Sequence, residues 1–236
     1  MNAPAKSAAA PAFDAYDETY AGVVQESVAF SGLSYDFFLR SKAGLLAELM
    51  AEHLRGCPAP KVLDVGCGVG ALHPLLAPLC GSLHGADISM ACIEQARRDN
   101  PTVAYRSYTG VGLPYADDEF DMTIAICVMH HVPPADWPAF AAELKRITRP
   151  GGLVCVIEHN PFNPLTRLSV MRCPFDEDAV LLKCAQTRAL LAAAGLSDGQ
   201  SRYFVFTPST QPWARALERK LARLPMGAQY AAFARA

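Results

Sequence analysis

Between Lys61 and Gly70 an apolar run, Val62-Leu63-Asp64-Val65, breaks into alternating glycines at Gly66, Gly68 and Gly70. Glycine lets the backbone take positive φ and lets a ligand approach the N–H groups at a helix start, so the loop reads as a seat for a nucleotide cofactor. The loop alone leaves the cofactor open, since Gly66, Gly68 and Ala71 also satisfy the loose G-x-G-x-x-G/A dinucleotide pattern. Asp64 tilts the choice. A carboxylate beside the turn would repel a pyrophosphate, but it suits a ligand carrying an ammonium and a sulfonium, as S-adenosylmethionine does. A second acid follows 23 residues after Asp64, where Leu83-His84-Gly85-Ala86-Asp87-Ile88-Ser89 reads as a short strand whose Asp87 can accept both ribose hydroxyls.

With these residues in order, the chain resembles the class I S-adenosylmethionine-dependent methyltransferases, in particular their small-molecule, type 11-like members. The likeness runs from about Lys61 to Glu158 and continues more weakly to the C-terminus. It is carried by Asp64-x-Gly66-x-Gly68-x-Gly70, by Asp87, by Leu113-Pro114-Tyr115-x4-Phe120-Asp121, by His130-His131, and by Leu144-Lys145-Arg146-Ile147-x2-Pro150-Gly151-Gly152. One departure is visible. The family usually has an acid four residues before that Leu-Pro to bond the adenine amino group, and here the place is Thr109. A hydroxyl accepts a neutral rather than a charge-assisted bond, which leaves the adenine to packing and backbone. The resemblance implies S-adenosyl-L-methionine as cofactor, leaving as S-adenosyl-L-homocysteine. It also adds Ile88, Thr109, Gly110, Val111, Cys127 and Tyr20 to the expected cofactor contacts.

Methyl transfer from a sulfonium is an in-line displacement, which asks for alignment, exclusion of water and a deprotonated acceptor. A base must lie beyond the C-terminal ends of strands four to six, which selects His130, His131, Glu158, His159 and Asn160. In a strand His130 and His131 would face opposite ways, so at most one should reach a pocket. The densest polar cluster is Glu158-His159-Asn160-Pro161-Phe162-Asn163-Pro164-Leu165-Thr166-Arg167, whose prolines pin the backbone. His159 is the expected base or acceptor-orienting group and His131 the second catalytic candidate, with Glu158, Asn160, Asn163 and Arg167 as acceptor contacts. The alternative is an asparagine-stabilised loop in which Asn160 and Asn163 bond their own backbone. The expected reaction is methylation of a small-molecule oxygen or nitrogen. C-methylation of a quinone-like or isoprenoid acceptor, or a regulatory protein that binds the cofactor without transfer, are the alternatives.

Strands and helices alternate beyond Gly56, as a doubly wound α/β fold requires. The pattern predicts strands over 61–66, 82–87, 102–107, 121–128, 153–158 and 203–206. Helices are predicted over 70–79, 89–98, from about 136 until stopped by Arg149-Pro150-Gly151-Gly152, and from a cap at Asp176 to about 194. The resemblance calls for a seventh, antiparallel strand, and Gln229 to Ala234 is the segment left to supply it. Together these give a mostly parallel, Rossmann-like sheet of seven strands. The expected organisation is a disordered tail over 1–12 and one domain over 13–236. Within it, 13–56 forms N-terminal cap helices, 57–207 the cofactor-binding sheet, 208–228 a helical insertion over the active site, and 229–236 the last strand. In the resembling family such N-terminal helices cover the site, which makes Tyr16, Tyr20, Phe30, Tyr35 and Arg40 candidate lid residues. Tyr16 and Arg40 are the expected acceptor contacts among them.

Composition excludes several partners. The 236 residues carry 21 Lys and Arg against 23 Asp and Glu, a net charge of −2, with no basic cluster to gather nucleic acid. No apolar run approaches the roughly 20 residues that span a bilayer. The N-terminus lacks the marks of a signal peptide, so a cytoplasmic monomer or homodimer is expected. Eight cysteines never form a Cys-x2-Cys pair, and neither a disulfide nor a metal is expected.

Overall fold

Short β-branched and apolar segments set between glycine and proline turns assemble one sheet in this computed structural model, which describes residues 20–110 and 112–236, with Tyr20 and Ala21 as backbone alone. In chain order the elements are α1 (Tyr20–Val28), α2 (Tyr35–His53), β1 (Lys61–Val65), α3 (His73–Leu76), β2 (Ser82–Asp87), α4 (Met90–Asp99), β3 (Ala104–Ser107) and β4 (Phe120–Ile126). There follow α5 (Trp137–Ile147), β5 (Thr148–His159), α6 (Pro164–Arg172), α7 (Cys184–Ala193), β6 (Ser197–Phe204), α8 (Pro212–Leu221) and β7 (Gln229–Arg235). The strand order is β3-β2-β1-β4-β5-β7-β6. Strands β1 to β5 pair in parallel, and β7 lies antiparallel between β5 and β6. The seven-stranded, mostly parallel sheet of the sequence reading is therefore present. The expected tail, residues 1–12, and the start of the first helix lie outside the described residues.

Alternation along the strands divides the core in two. Val62, Met122, Ile124, Cys155 and Phe233 pack on one face with Leu46 and Leu49 of α2, Leu76 of α3 and Ile93 of α4. Leu63, Val65, Ala125, Val154 and Tyr230 pack on the other with Phe140 and Leu144 of α5 and Leu191 of α7. With helices on both faces, the open positions are the C-terminal strand ends. The order reverses between β1 and β4, and such a switch point leaves the crevice where ligands bind.

Several boundaries differ from the sequence reading. The helix expected over 70–79 is a single turn, α3, continued as a 3-10 turn over Ala77–Leu79. Pro74 and Pro78 remove two of the N–H groups an α-helix would use. Arg149-Pro150-Gly151-Gly152 does not lie between elements but within β5, which begins directly after α5. Strand β6 begins at Ser197 rather than Tyr203. The segment between the strand expected over 153–158 and Asp176, for which no element is predicted, holds α6, capped by Asn163, whose side chain accepts from Leu165 N and Thr166 N, with Pro164 at its first position. Asp176 caps no long helix. It ends a 3-10 turn, Pro174–Asp176, and the chain then stays irregular because Val180 N donates to the His130 carbonyl and Leu182 is buried. Helix α7 starts eight residues later, where the Gln186 side chain accepts from Lys183 N.

Candidate cofactor and acceptor site

Strand β1 ends in the glycine turn, and each glycine has its own task. Gly66 sits at φ 73°, and a Cβ there would meet Val128 Cγ2 at 2.3 Å, so the turn packs against the end of β4. Gly68, at φ 53°, has open space where its Cβ would be, and its N–H donates to Asp87 Oδ2 at 2.8 Å. Gly70 does not line the cavity beside it. Its φ is 69°, and a Cβ would strike the Tyr105 hydroxyl at 2.6 Å, so it serves packing and turn geometry.

The two acids differ in what they have left to bond. Asp64 Oδ2 accepts from His73 Nε2 at 3.2 Å, and the Tyr105 hydroxyl, 2.5 Å from His73 Nδ1, orients that ring from behind. Asp64 lines the cavity, and its Oδ1 is buried without a hydrogen-bond partner. A buried, orphaned carboxylate oxygen costs stability unless a ligand donor meets it. Asp87 accepts from Gly68 N and, at 2.9 Å, from Ser89 N. Burial nevertheless pushes its carboxyl up to about 6. Further hydroxyl donors would favour the charged form. An open glycine cradle, one unpaired carboxylate oxygen and a second buried acid fit the adenosyl, ribose and ammonium groups of S-adenosylmethionine.

These residues line one end of a cavity of about 1060 Å³. At or slightly above the usual pocket range of about 300–1,000 Å³, it has room for a cofactor and a second molecule. The rest of the wall is largely apolar, with Val24, Val28 and Phe30 from and after α1, Phe38 and Leu39 from α2, and Phe206 after β6.

Polar groups converge at the ends of β4 and β5. Cys127, at φ 56°, faces Lys42 Nζ at 3.7 Å and Gln229 Nε2 at 3.6 Å, and the His159 imidazole acts electrostatically on its thiol. Burial alone would push the thiol up, but Lys42 and His159 outweigh it and bring it down to about 7. His159 is correspondingly raised: burial opposes its charge, and Cys127 more than offsets that. His130 is fully buried and bonds Glu158 Oε2 through Nδ1 at 2.5 Å. Burial works against its proton, yet the Glu158 carboxylate and Asp176 hold the imidazole well above its ordinary value. His131, nearer the cavity, is pushed down to about 4 by burial and by the neighbouring His130.

Of the expected site residues, Asp64, Gly66, Gly68, Asp87, Ile88, Gly110, Cys127, His131, His159 and Asn163 line this cavity. Thr109 does not. It is exposed, and its neighbours Tyr108 and Gly110 face the cavity instead. Glu158 is buried behind the wall, where it accepts from Val128 N, Met129 N and His130. Asn160 is likewise withdrawn: its amide donates to the Pro225 and Gly227 carbonyls and its oxygen accepts from Phe162 N. Asn163 caps α6 and donates to the Met226 carbonyl. Both asparagines thus bond backbone groups, Asn163 while also lining the cavity. Arg167 is exposed and lines no part of the cavity. Arg40 is exposed too and pairs with Asp36 one turn earlier. Tyr16, the Tyr20 side chain and Val111 lie outside the described residues.

The α8 insertion is present but does not itself roof the cavity. Arg219 pairs with Glu48 of α2 at 3.0 Å, and only the flanking segments, from Val205 to Pro208 and from Met226 to Gln229, reach the cavity wall. Sequence reasoning missed Lys42, Asp176 and Gln229. Lys42 had a signal, a lysine in the apolar stripe of Phe38, Leu45 and Leu49, a place where lysine is rare unless paired. All eight cysteines are free. Among the described residues no helix is long and apolar enough to cross a membrane.

Residues 62–152 match the family model described as a methyltransferase domain. Over 169 residues the chain is 28% identical to the ubiquinone biosynthesis O-methyltransferase of Chelativorans sp., covering 66% of each chain. It is 36% identical over 127 residues to the protein of the same name from Rhizobium johnstonii, covering 52% of this chain and 50% of that one. The chain therefore spans 50% to 66% of the length of these relatives. The crystal structure of a SAM-dependent methyltransferase from Archaeoglobus fulgidus superposes with a TM-score of 0.61 at 16% identity, over 86% of this chain and 100% of that one, a likeness of fold. Glycine turn, paired acids and strand order agree with that match: residues 62–152 are similar to a methyltransferase domain.

Proposed function

We propose that the chain transfers a methyl group from S-adenosylmethionine to an oxygen or nitrogen of a small, largely apolar acceptor held in the same cavity. The observation that carries the reading is that one continuous cavity joins the acidic cofactor end, Asp64 and Asp87, to the Cys127–His159 pair across an apolar wall. When bound, the cofactor supplies an electrophilic methyl on a sulfonium. Asp64 would hold its ammonium and Asp87 its ribose hydroxyls, with Gly68 leaving room for close approach.

The pair at the other end handles the proton. Cys127 and His159 share one proton between thiol and imidazole, so whichever atom carries it, the other keeps a lone pair able to take the acceptor's proton. Lys42 steadies the thiolate side. Apolar side chains from α1 and α2 exclude water, which strengthens these electrostatic interactions. His131, the second catalytic candidate, faces Asp176 at 3.4 Å and is assigned to the acceptor wall rather than to proton transfer.

The relatives' names make an aromatic hydroxyl of the quinone-precursor class the first acceptor to try. Purified protein incubated with S-adenosylmethionine and such phenols should give products heavier by one methylene. His159→Ala should lower turnover at least about tenfold while leaving cofactor affinity unchanged. Absence of calorimetric cofactor binding would remove the reading. Normal turnover in the variant would remove only the base.

A further inference from the structure

Beyond β4 a 3-10 turn over Met129–His131 brings two imidazoles against Asp176, which arrives from the turn after α6. His130 Nε2 lies 3.3 Å and His131 Nε2 3.4 Å from the same oxygen, Asp176 Oδ1. The three donor atoms all lie within 4.8 Å of one another. Charge-assisted hydrogen bonds close to about 2.7–2.9 Å, so neither contact is a tight one. Four bonds of about 2.0–2.1 Å at tetrahedral angles, by contrast, hold ligand atoms roughly 3.3–3.4 Å apart. The two imidazole-to-carboxylate spacings are those of a ligand shell.

The far side of His130 points the same way. Its Nδ1 is held at 2.5 Å by Glu158, and Glu158 is itself fixed by Val128 N at 3.2 Å and Met129 N at 2.8 Å. A carboxylate that fixes the second nitrogen of an imidazole is how proteins orient a metal-binding histidine. His130, His131 and Asp176 all line the cavity, so further coordination positions would face its interior. Two imidazoles with one carboxylate favour borderline first-row ions, whereas magnesium and calcium prefer oxygen alone.

We propose that His130, His131 and Asp176 form a site for a first-row divalent cation of the zinc, cobalt or ferrous class on the cavity wall, with Glu158 as the positioning residue for His130. This site goes beyond the methyl-transfer reading and does not depend on it. No spacing motif marks the site in the sequence, because Asp176 lies 46 residues beyond His130.

The test is a titration of the full chain, freed of metal by a chelator, with cobalt(II) alone. Expected is a saturable visible absorption of the tetrahedral type reaching one ion per chain, without a thiolate charge-transfer band. His131→Gln and Asp176→Asn, each checked for native circular dichroism, should weaken binding more than about tenfold, the least that even an outer-shell loss usually costs. Failure of the native protein to saturate would overturn the site, as would a charge-transfer band placing the ion on Cys127. Unchanged affinity in a folded variant would overturn it as well.

Discussion

Asp87 is a buried acid whose ordinary charge the fold resists, and that sets a pH dependence for the cofactor end. Its value in the folded chain, about 6, lies above the ordinary aspartate value of 3.8, so the ligand-free fold favours the protonated form more than water does. The stability this contributes is complete below 3.8 and is lost as pH rises through about 6. Ribose hydroxyls need the charged form as acceptor, so cofactor affinity should fall as pH drops below 6, and Asp87→Asn should flatten that fall. Calorimetric titrations on either side of pH 6 measure it, and a native profile without slope would count against the assignment. At neutral pH, Asp87→Ala should weaken binding by about 1.5–3 kcal/mol, the usual worth of hydrogen bonds to a charged group. Gly66→Ala tests the turn itself. At φ 73° and with Val128 Cγ2 2.3 Å from the new Cβ, it should lower both thermal stability and cofactor affinity.

Glu218 of α8 controls the element that walls the acceptor end. Its carboxylate accepts from Val205 N at 2.7 Å, Phe206 N at 2.8 Å and Thr207 N at 3.1 Å. Val205 sits at φ 60°, a conformation a β-branched residue rarely adopts unless its surroundings impose it. Removing the clamp with Glu218→Ala leaves these donors unpaired. At about 2 kcal/mol the cost is a melting temperature lower by roughly 4–8 °C in a domain of this size. The acceptor KM should rise while cofactor affinity holds, and equal loss of both would show that the segment does not serve the acceptor. This clamp was not legible in the sequence, because nothing about Glu218 distinguishes it from a solvated helix face. Strands β1 and β4 and the Leu153–His159 part of β5 were legible, since each is a short, largely apolar run. The acids Asp64 and Asp87 were legible, each lying at a strand end. Helix α6 hid behind a weak apolar stripe although Asn163-Pro164 spelled its start. Asp176 was misread because a capping residue before an apolar run looks the same whether a helix or an irregular segment follows. Whether Asn160 and Asn163 face the cavity or their own loop depends on the Pro225–Ala228 carbonyls, more than 60 residues away.

At the scale of the whole molecule, the sheet and the cavity roof are separable. Among the described residues neither core cluster includes a side chain of α1, although Val28 is buried: the first cluster begins at Ala43 and the second at Leu63. What α1 and the turn after it provide is wall, namely Val24, Val28 and Phe30, with the Arg172 guanidinium 4.8 Å over the Phe30 ring to tie the roof to α6. Helix α2 carries its own start signal, Ser34, whose hydroxyl accepts from Phe37 N at 3.1 Å. A chain beginning at Ser34 should therefore fold with a circular dichroism spectrum short only of the contribution of α1 and with a cooperative melt, because the apolar area that drives the sheet together is untouched. The cavity would stand open to water on its acceptor side. Methyl transfer should fall by more than cofactor binding does, since the acids at 64 and 87 keep their geometry while the acceptor loses its apolar wall and its shelter. Comparing calorimetric affinity with turnover in the shortened chain reads the two apart. Full turnover would show that the wall from α1 is dispensable, and loss of folding would show that α1 belongs to the core after all.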